Sequence, residues 1–189
     1  MIRENAVIKC ESLFDKNKQH RYSTSKVWSD QKPLAAVISI APSSDYNVSA
    51  DLTSQLIQNN LNGLGFGSYT LTNLFSKIGT DFKKLTSTAG LYDKDTDKMI
   101  VASCEAADKI IIAWGKVTAK NKMISKRADE VTALIAPFTD KIYFLADSTG
   151  RSDLHPLTPA LRHQWFLVQA TFDTTIPAGS WNGEVQVDK

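Results

Sequence analysis

The chain has 189 residues, 42% of them hydrophobic and 22% charged, enough for one domain with a substantial core. A formal net charge of +2 excludes a global electrostatic attraction to nucleic acid, and the longest apolar runs are far too short to span a bilayer. Two cysteines, Cys10 and Cys104, make neither a disulfide framework nor a metal set. No signal-like apolar stretch follows Met1, so a reduced, cytoplasmic setting is expected.

The first twenty residues are mixed and polar. His20 to Trp28 alternates like a short strand or edge ribbon, and Ser29 to Pro33 is a turn. Leu34 to Ile40 is a nearly continuous apolar run with β-branched residues, which is how a strand covered on both faces reads. Ala50 to Leu64 carries Leu52, Leu56, Ile57 and Leu61 at helical spacing, and the glycines from Gly63 onward stop it. Tyr69 to Leu74 is a second strand, and Gly79 to Gly90 a loop with one helical turn. Asp93 to Ala107 follows as a helix with Met99, Ile100, Ala102, Ala106 and Ala107 on its apolar face. Lys109 to Trp114 is the third strand, and Met123 to Ile135 the third helix, ended by Pro137. Its stripe is Ile124, Ala128, Val131, Leu134 and Ile135. Lys141 to Ala146 is the fourth strand, Gln164 to Phe172 a last strand, and the tail from Thr174 is loop-like.

Strands alternating with helices imply right-handed crossovers. The expected fold is therefore one α/β domain over 1–189, with its core at about 20–172. It should be a three-layer α/β/α sandwich on a mainly parallel central sheet of four to five strands. In such sheets ligands bind in the crevice outside the carboxyl ends of the strands. Several polar segments fall at those ends and are expected to converge there.

Pro42-Ser43-Ser44-Asp45 follows the first strand of the alternating series. Its hydroxyls and carboxylate suit binding a phosphate, orienting a water or general-base work, with Ser43 and Asp45 as catalytic candidates and Ser44 as a ligand contact. The same residues also stabilise turns by local hydrogen bonds. Asp51 and Thr53 sit at a helix start, where capping explains them as well as ligand binding does. Asn73 ends an apolar strand, and its amide offers a donor and an acceptor to a base edge, or is satisfied by neighbouring backbone. On the second premise, Asn73→Ala costs about 1–3 kcal/mol through the partner left behind.

Phe75 follows closely. Trp114-Gly115-Lys116 ends the most hydrophobic strand, where Trp114 can stack on a planar ligand or simply fill the core, and Gly115 allows a tight turn or close backbone approach. Lys116, Lys120, Lys122, Lys126 and Arg127 cluster at the next helix start, where cations oppose the helix dipole; a phosphate partner or a solvated face accounts for them. His155, a catalytic candidate as acid, base or donor, is held extended by Pro156. There is no Gly-rich phosphate fingerprint, no zinc motif and no Gly-x-Ser-x-Gly elbow, so no cofactor or metal is expected.

From about His20 to Leu157 the chain resembles a bacterial and phage family of unknown function. The parallels are Arg21-Tyr22-Ser23-Thr24-Ser25 with Trp28, Ala41-Pro42-Ser43, Asp51-Leu52-Thr53, Asn73-Leu74-Phe75 with Thr80-Asp81, Trp114-Gly115, and His155-Pro156-Leu157. The family's Asn before Pro-Ser is Ala41 here, which bears on whether this chain catalyses or only binds. In layout the chain is also similar to the uracil-DNA glycosylase superfamily. That resemblance implies a water oriented by Ser43, Ser44 or Asp45, a base edge read by Asn73, and a departing base stabilised by His155. It lacks that superfamily's Gly-Gln-Asp-Pro-Tyr-His type motif, and Leu157 replaces a Ser.

The function expected is a nucleotide-, nucleobase- or nucleic-acid-binding enzyme with its site at the carboxyl edge of the sheet. The alternatives are an N-glycosylase-like hydrolase and a non-catalytic interaction domain.

Overall fold

A computed structural model describes residues 1–43, 49–116 and 121–170. Within them the chain runs β1 (Lys9–Phe14), β2 (Arg21–Val27), β3 (Leu34–Ser39), α1 (Leu52–Gly63), β4 (Ser68–Asn73), α2 (Lys94–Ala106), β5 (Lys109–Ile112), α3 (Lys122–Ile135), β6 (Ile142–Ala146) and β7 (Phe166–Gln169). The strands form one sheet in the order β1-β2-β4-β3-β5-β6-β7.

The parallel part is the inner block β4-β3-β5-β6. An antiparallel β1-β2 hairpin extends it on one side, and an antiparallel β7 closes the other. The sheet is thus mixed and seven-stranded, rather than mainly parallel with four to five strands. The shortfall lies at the edges. In β1 exposed and half-buried residues alternate, and its Lys9-Cys10-Glu11-Ser12 stretch carries no apolar period to announce a strand. Pairing with β2, not intrinsic propensity, makes it one.

Strand β3 explains how the layers are built. Ala36 and Ile38 face one cluster with Ile100 and Cys104 of α2 and Ile124, Ala128, Val131 and Ile135 of α3. Ala35 and Val37 face the other with Leu56, Ile57 and Leu61 of α1. This two-residue alternation buries both sides of the strand, so the sequence reads as an unbroken apolar run.

The helices start on side-chain caps. The Asp51 carboxylate accepts from Ser54 N at 2.7 Å. Asp93 and Thr96 form a reciprocal capping box, and the Asn121 amide oxygen accepts from Met123 N. Two expected stripes rotate in the structure. Leu52 is exposed on α1, and α2 buries Thr96, Ile100, Ser103 and Cys104, with Ala102 and Ala106 outside. The alanines are apolar but small, so they carry little weight in choosing the buried face.

The crossovers position the crevice. The connection from β3 leads to α1 on one face, whereas those from β4 and β5 lead to α2 and α3 on the other. Connections that part around the carboxyl end of β3 leave an opening there.

Candidate functional site

A cleft of about 350 Å³ opens at that place, at the small end of the range for small-molecule sites. Ser39 ends β3 and pairs in register with Asn73, which ends β4. Neighbours in register on parallel strands point to the same face, so hydroxyl and amide stand side by side at the rim. Ile40, Ala41, Pro42 and Ser43 continue the wall beyond β3. Asp51, Thr53 and Ser54 contribute the start of α1, while Thr80 and Phe82 come from the β4–α2 connection. Because β2 is antiparallel to β4, its first residue, Arg21, arrives at the same edge and is 3% exposed. His155 closes the cleft from the segment after β6.

His155 reaches the cleft because of Gly115. That glycine has φ of +61°, and a Cβ there would lie 2.8 Å from His155 N and 3.0 Å from its Cβ. The bare glycine lets the 153–157 segment lie against the end of β5. The imidazole is then fixed through Nδ1. Leu157 N donates to His155 Nδ1 at 3.1 Å, so Nδ1 is the unprotonated nitrogen and Nε2 carries the hydrogen. Burial pushes the imidazole below its ordinary value, with the Asp51 carboxylate opposing that shift. The side chain is therefore a neutral Nε2–H donor at physiological pH.

Asn73 carries the opposite feature. It is 3% exposed, and its Oδ1 is buried with no hydrogen-bond partner among the described residues. A buried acceptor left unmade costs about 1–3 kcal/mol. The premise of an amide oxygen satisfied by backbone thus fails. Asp153 Oδ1 is likewise buried without a partner among the described residues. Burial raises its carboxyl, with Lys116 partly offsetting the rise.

Of the expected site residues, Ser43, Asp51, Asn73 and His155 line the one cleft. Ser44, Asp45 and Lys120 lie outside the described residues. Gly115 supports the site from beneath His155, and Pro156 is buried in the same segment without lining the cleft.

Phe75 and Trp114 belong to the core on the α2–α3 side. Phe75 packs on Phe82 at 5.4 Å between ring centroids, so it backs the cleft wall without reaching the opening. Trp114 is 3% exposed and leaves no face for a planar ligand. Lys116, Lys122 and Lys126 are exposed. Arg127, grouped with them in sequence, turns inward. Its Nε donates to Leu74 O at 2.9 Å, its Nη2 to Asp97, and its guanidinium lies 3.7 Å from the Tyr92 ring centroid. That cation is a strut between α3, α2 and β4 and is not part of a phosphate patch.

Sequence reasoning missed Arg21, Ser39, Ser54, Thr80 and Phe82 as wall residues. For Arg21 and Thr80 a signal existed, since both fall in segments that carry the family resemblance. For Ser39 and Ser54 none did: a serine closing an apolar strand or starting a helix is ordinary.

Among the described residues no group of three His, Cys, Asp or Glu side chains is arranged to hold a metal ion, and no helix is long and apolar enough to cross a membrane. No curated protein and no solved structure matches the chain. Residues 21–157 match the model of a family described as "Protein of unknown function (DUF1643)", a span running from Arg21 in the cleft wall to the residue that fixes the His155 tautomer, and the chain belongs to that family.

Proposed function

We propose that this protein is a nucleotide-, nucleobase- or nucleic-acid-binding enzyme whose site is the cleft at the carboxyl edge of a three-layer α/β/α sandwich. The observation that carries the reading is the buried, unpartnered Oδ1 of Asn73. A ligand that brings an N–H to this oxygen relieves the unmade bond, and a planar heterocycle with a ring N–H does so at small volume. The neutral Nε2–H of His155 supplies a donor for a ring carbonyl or a departing ring nitrogen. Leu71, Ile40 and Phe82 add apolar wall for ring faces. Ser43 and Asp45 take the roles of positioning and activating water, with Ser44, Asp51 and Lys116 as further ligand contacts.

N-glycosylase-like hydrolysis is a second reading, favoured by the pairing of a base-reading amide with a histidine donor on separate segments. In it Asn73 reads the base edge and His155 stabilises the base as it leaves. The carboxylate in the described wall, Asp51, is occupied as a helix cap, so the water-activating group in this reading is Asp45.

The test is calorimetric titration and thermal shift with free bases, nucleosides, mononucleotides and short single-stranded oligonucleotides. Binding of one base-bearing class is expected, lost in N73L and in H155Q with both variants folded. Because burial holds the His155 imidazole below its ordinary value, binding should keep its strength as pH falls from 8 to 7. A base-bearing series that never shifts the melting temperature overturns the proposal, as does binding indifferent to both substitutions. Release of free base from oligonucleotides containing deaminated or alkylated bases separates hydrolysis from binding alone.

A further inference from the structure

We propose that the cleft takes its base from a single-stranded polynucleotide, whose phosphate backbone runs outside it along a rim of lysines. This inference rests on the base-binding reading of the cleft and narrows its ligand from a free nucleotide to a polymer.

Lysines approach the opening from three segments. Lys83 and Lys84 directly follow the wall residue Phe82. Lys122 and Lys126 stand two residues before and after the wall residue Ile124, in the first two turns of α3. Lys116 follows Gly115, on which the His155 segment lies. Every one of them is exposed. Lys84 pairs with Asp81 at 4.0 Å, but among the described residues Lys83, Lys116, Lys122 and Lys126 form no ion pair. Opposing charge is sparse. Lys116 acts on the Asp153 carboxyl without pairing with it, and Asp129 stands two turns along α3 from Lys122.

The fold gains nothing from this charge. Lys122 opens α3, whose first turn has no acidic residue, and a cation there opposes the helix dipole. Lys122 and Lys126, four residues apart, share a helix face and repel each other. The chain carries only +2 overall, so the rim is a local concentration rather than part of a generally basic surface. A polyanion laid across the three segments turns these costs into attraction.

The kind of polyanion follows from what the rim surrounds. At about 350 Å³ the cleft admits a base but not the chain that carries it. A base reaches Asn73 only once it is out of a stack, which a single strand allows without opening a duplex. Its sugar-phosphate chain must then stay at the mouth, where the lysines are. A mononucleotide would leave most of the rim unused.

The experiment measures anisotropy of a fluorescein-labelled single-stranded oligonucleotide on the full chain as salt is raised. If each of the four unpaired lysines meets one phosphate, log affinity should fall against log salt with a slope of about −2.8, a roughly 50-fold loss between about 50 and 200 mM. K83Q/K122Q/K126Q should keep its melting temperature and reduce that slope to about −0.7. N73L should weaken binding at every salt concentration and leave the slope alone. Binding that needs Asn73 but keeps its salt slope in the lysine variant overturns the rim alone. Lysine-dependent binding that ignores N73L overturns the cleft reading beneath it, and this proposal with it. Polyglutamate that competes as well as an unlabelled oligonucleotide of equal charge overturns the choice of partner.

Discussion

Asn73 and Arg127 meet the end of β4 from opposite sides, each with no more than 3% of its surface exposed. Arg127 has its groups accounted for. It donates to the carbonyl of Leu74, pairs with Asp97 and Glu130, and stacks on Tyr92. Asn73, one residue from that carbonyl, ends in an acceptor that nothing in the described protein meets. The segment after β6 repeats the contrast. The Asp147 carboxylate accepts from Thr149 and Arg151 through both oxygens, whereas Asp153 keeps a buried oxygen with no partner among the described residues. Burial of a polar group therefore does not distinguish frame from site. What distinguishes them is whether the group's hydrogen bonds close within the chain.

The sharpest way to break this contrast is to remove the satisfied member. Arg127→Ala strips a buried carbonyl of its donor and Tyr92 of its cation, and should cost about 3 kcal/mol in urea unfolding. A loss under about 1 kcal/mol would mean that the strut is replaceable, and the division between frame and site would blur.

Next comes the glycine that brings the imidazole in. Gly115→Ala forces a Cβ into the backbone of His155 and a left-handed conformation on alanine, costing about 1–3 kcal/mol. Ligand binding should fall with it, since the His155 segment must move away. Intact stability and intact binding together would show that the close approach is dispensable.

Asp147 sharpens the comparison through pH. Hydrogen bonds from Thr149, with Arg151 adding to them, hold its carboxyl down at about 2 against the usual 3.8. A depressed folded-state value gives stabilisation that is full above the unfolded value and disappears as pH falls through the folded one. Asp147→Asn should therefore flatten the acid limb of the stability profile between about pH 4 and 2. A limb of unchanged slope would show that the carboxylate contributes nothing there.

The smallest stability effect is expected at Asn73. Asn73→Leu removes an acceptor that has no partner to leave behind, so unfolding should move by no more than about 1 kcal/mol, in either direction. A loss of several kcal/mol would reveal a bond that the amide makes in solution and would take Asn73 out of the candidate site.

The sequence displays the inner block of the fold clearly. β3, β4, β5 and β6 and the three helices stand out because each buries residues at its own period, and a period survives in one dimension. β1 was not legible, because its strand character comes from pairing with β2 further along the chain rather than from its own pattern. The candidate site was legible in kind more than in membership. Ser43, Asp51, Asn73 and His155 were readable as polar residues at strand ends, and they line one cleft. Trp114 and Phe75 read the same way but point into the α2–α3 core, since the chain just past a strand end no longer alternates in a way that local sequence fixes.

By itself, then, the order of amino acids determined that strands and helices alternate, where the main helices begin, and which chain ends of the sheet are polar. Those are local properties, set by periodicity, capping and turn chemistry. Only the tertiary structure decided that β3 lies between β4 and β5, that Arg127 folds inward while the lysines beside it stay in water, and that the Asn73 oxygen is left unmet within the described chain. Each depends on which segment arrives opposite which. A hydrogen bond closes or stays open according to that arrival, and no single stretch of sequence carries both of its ends.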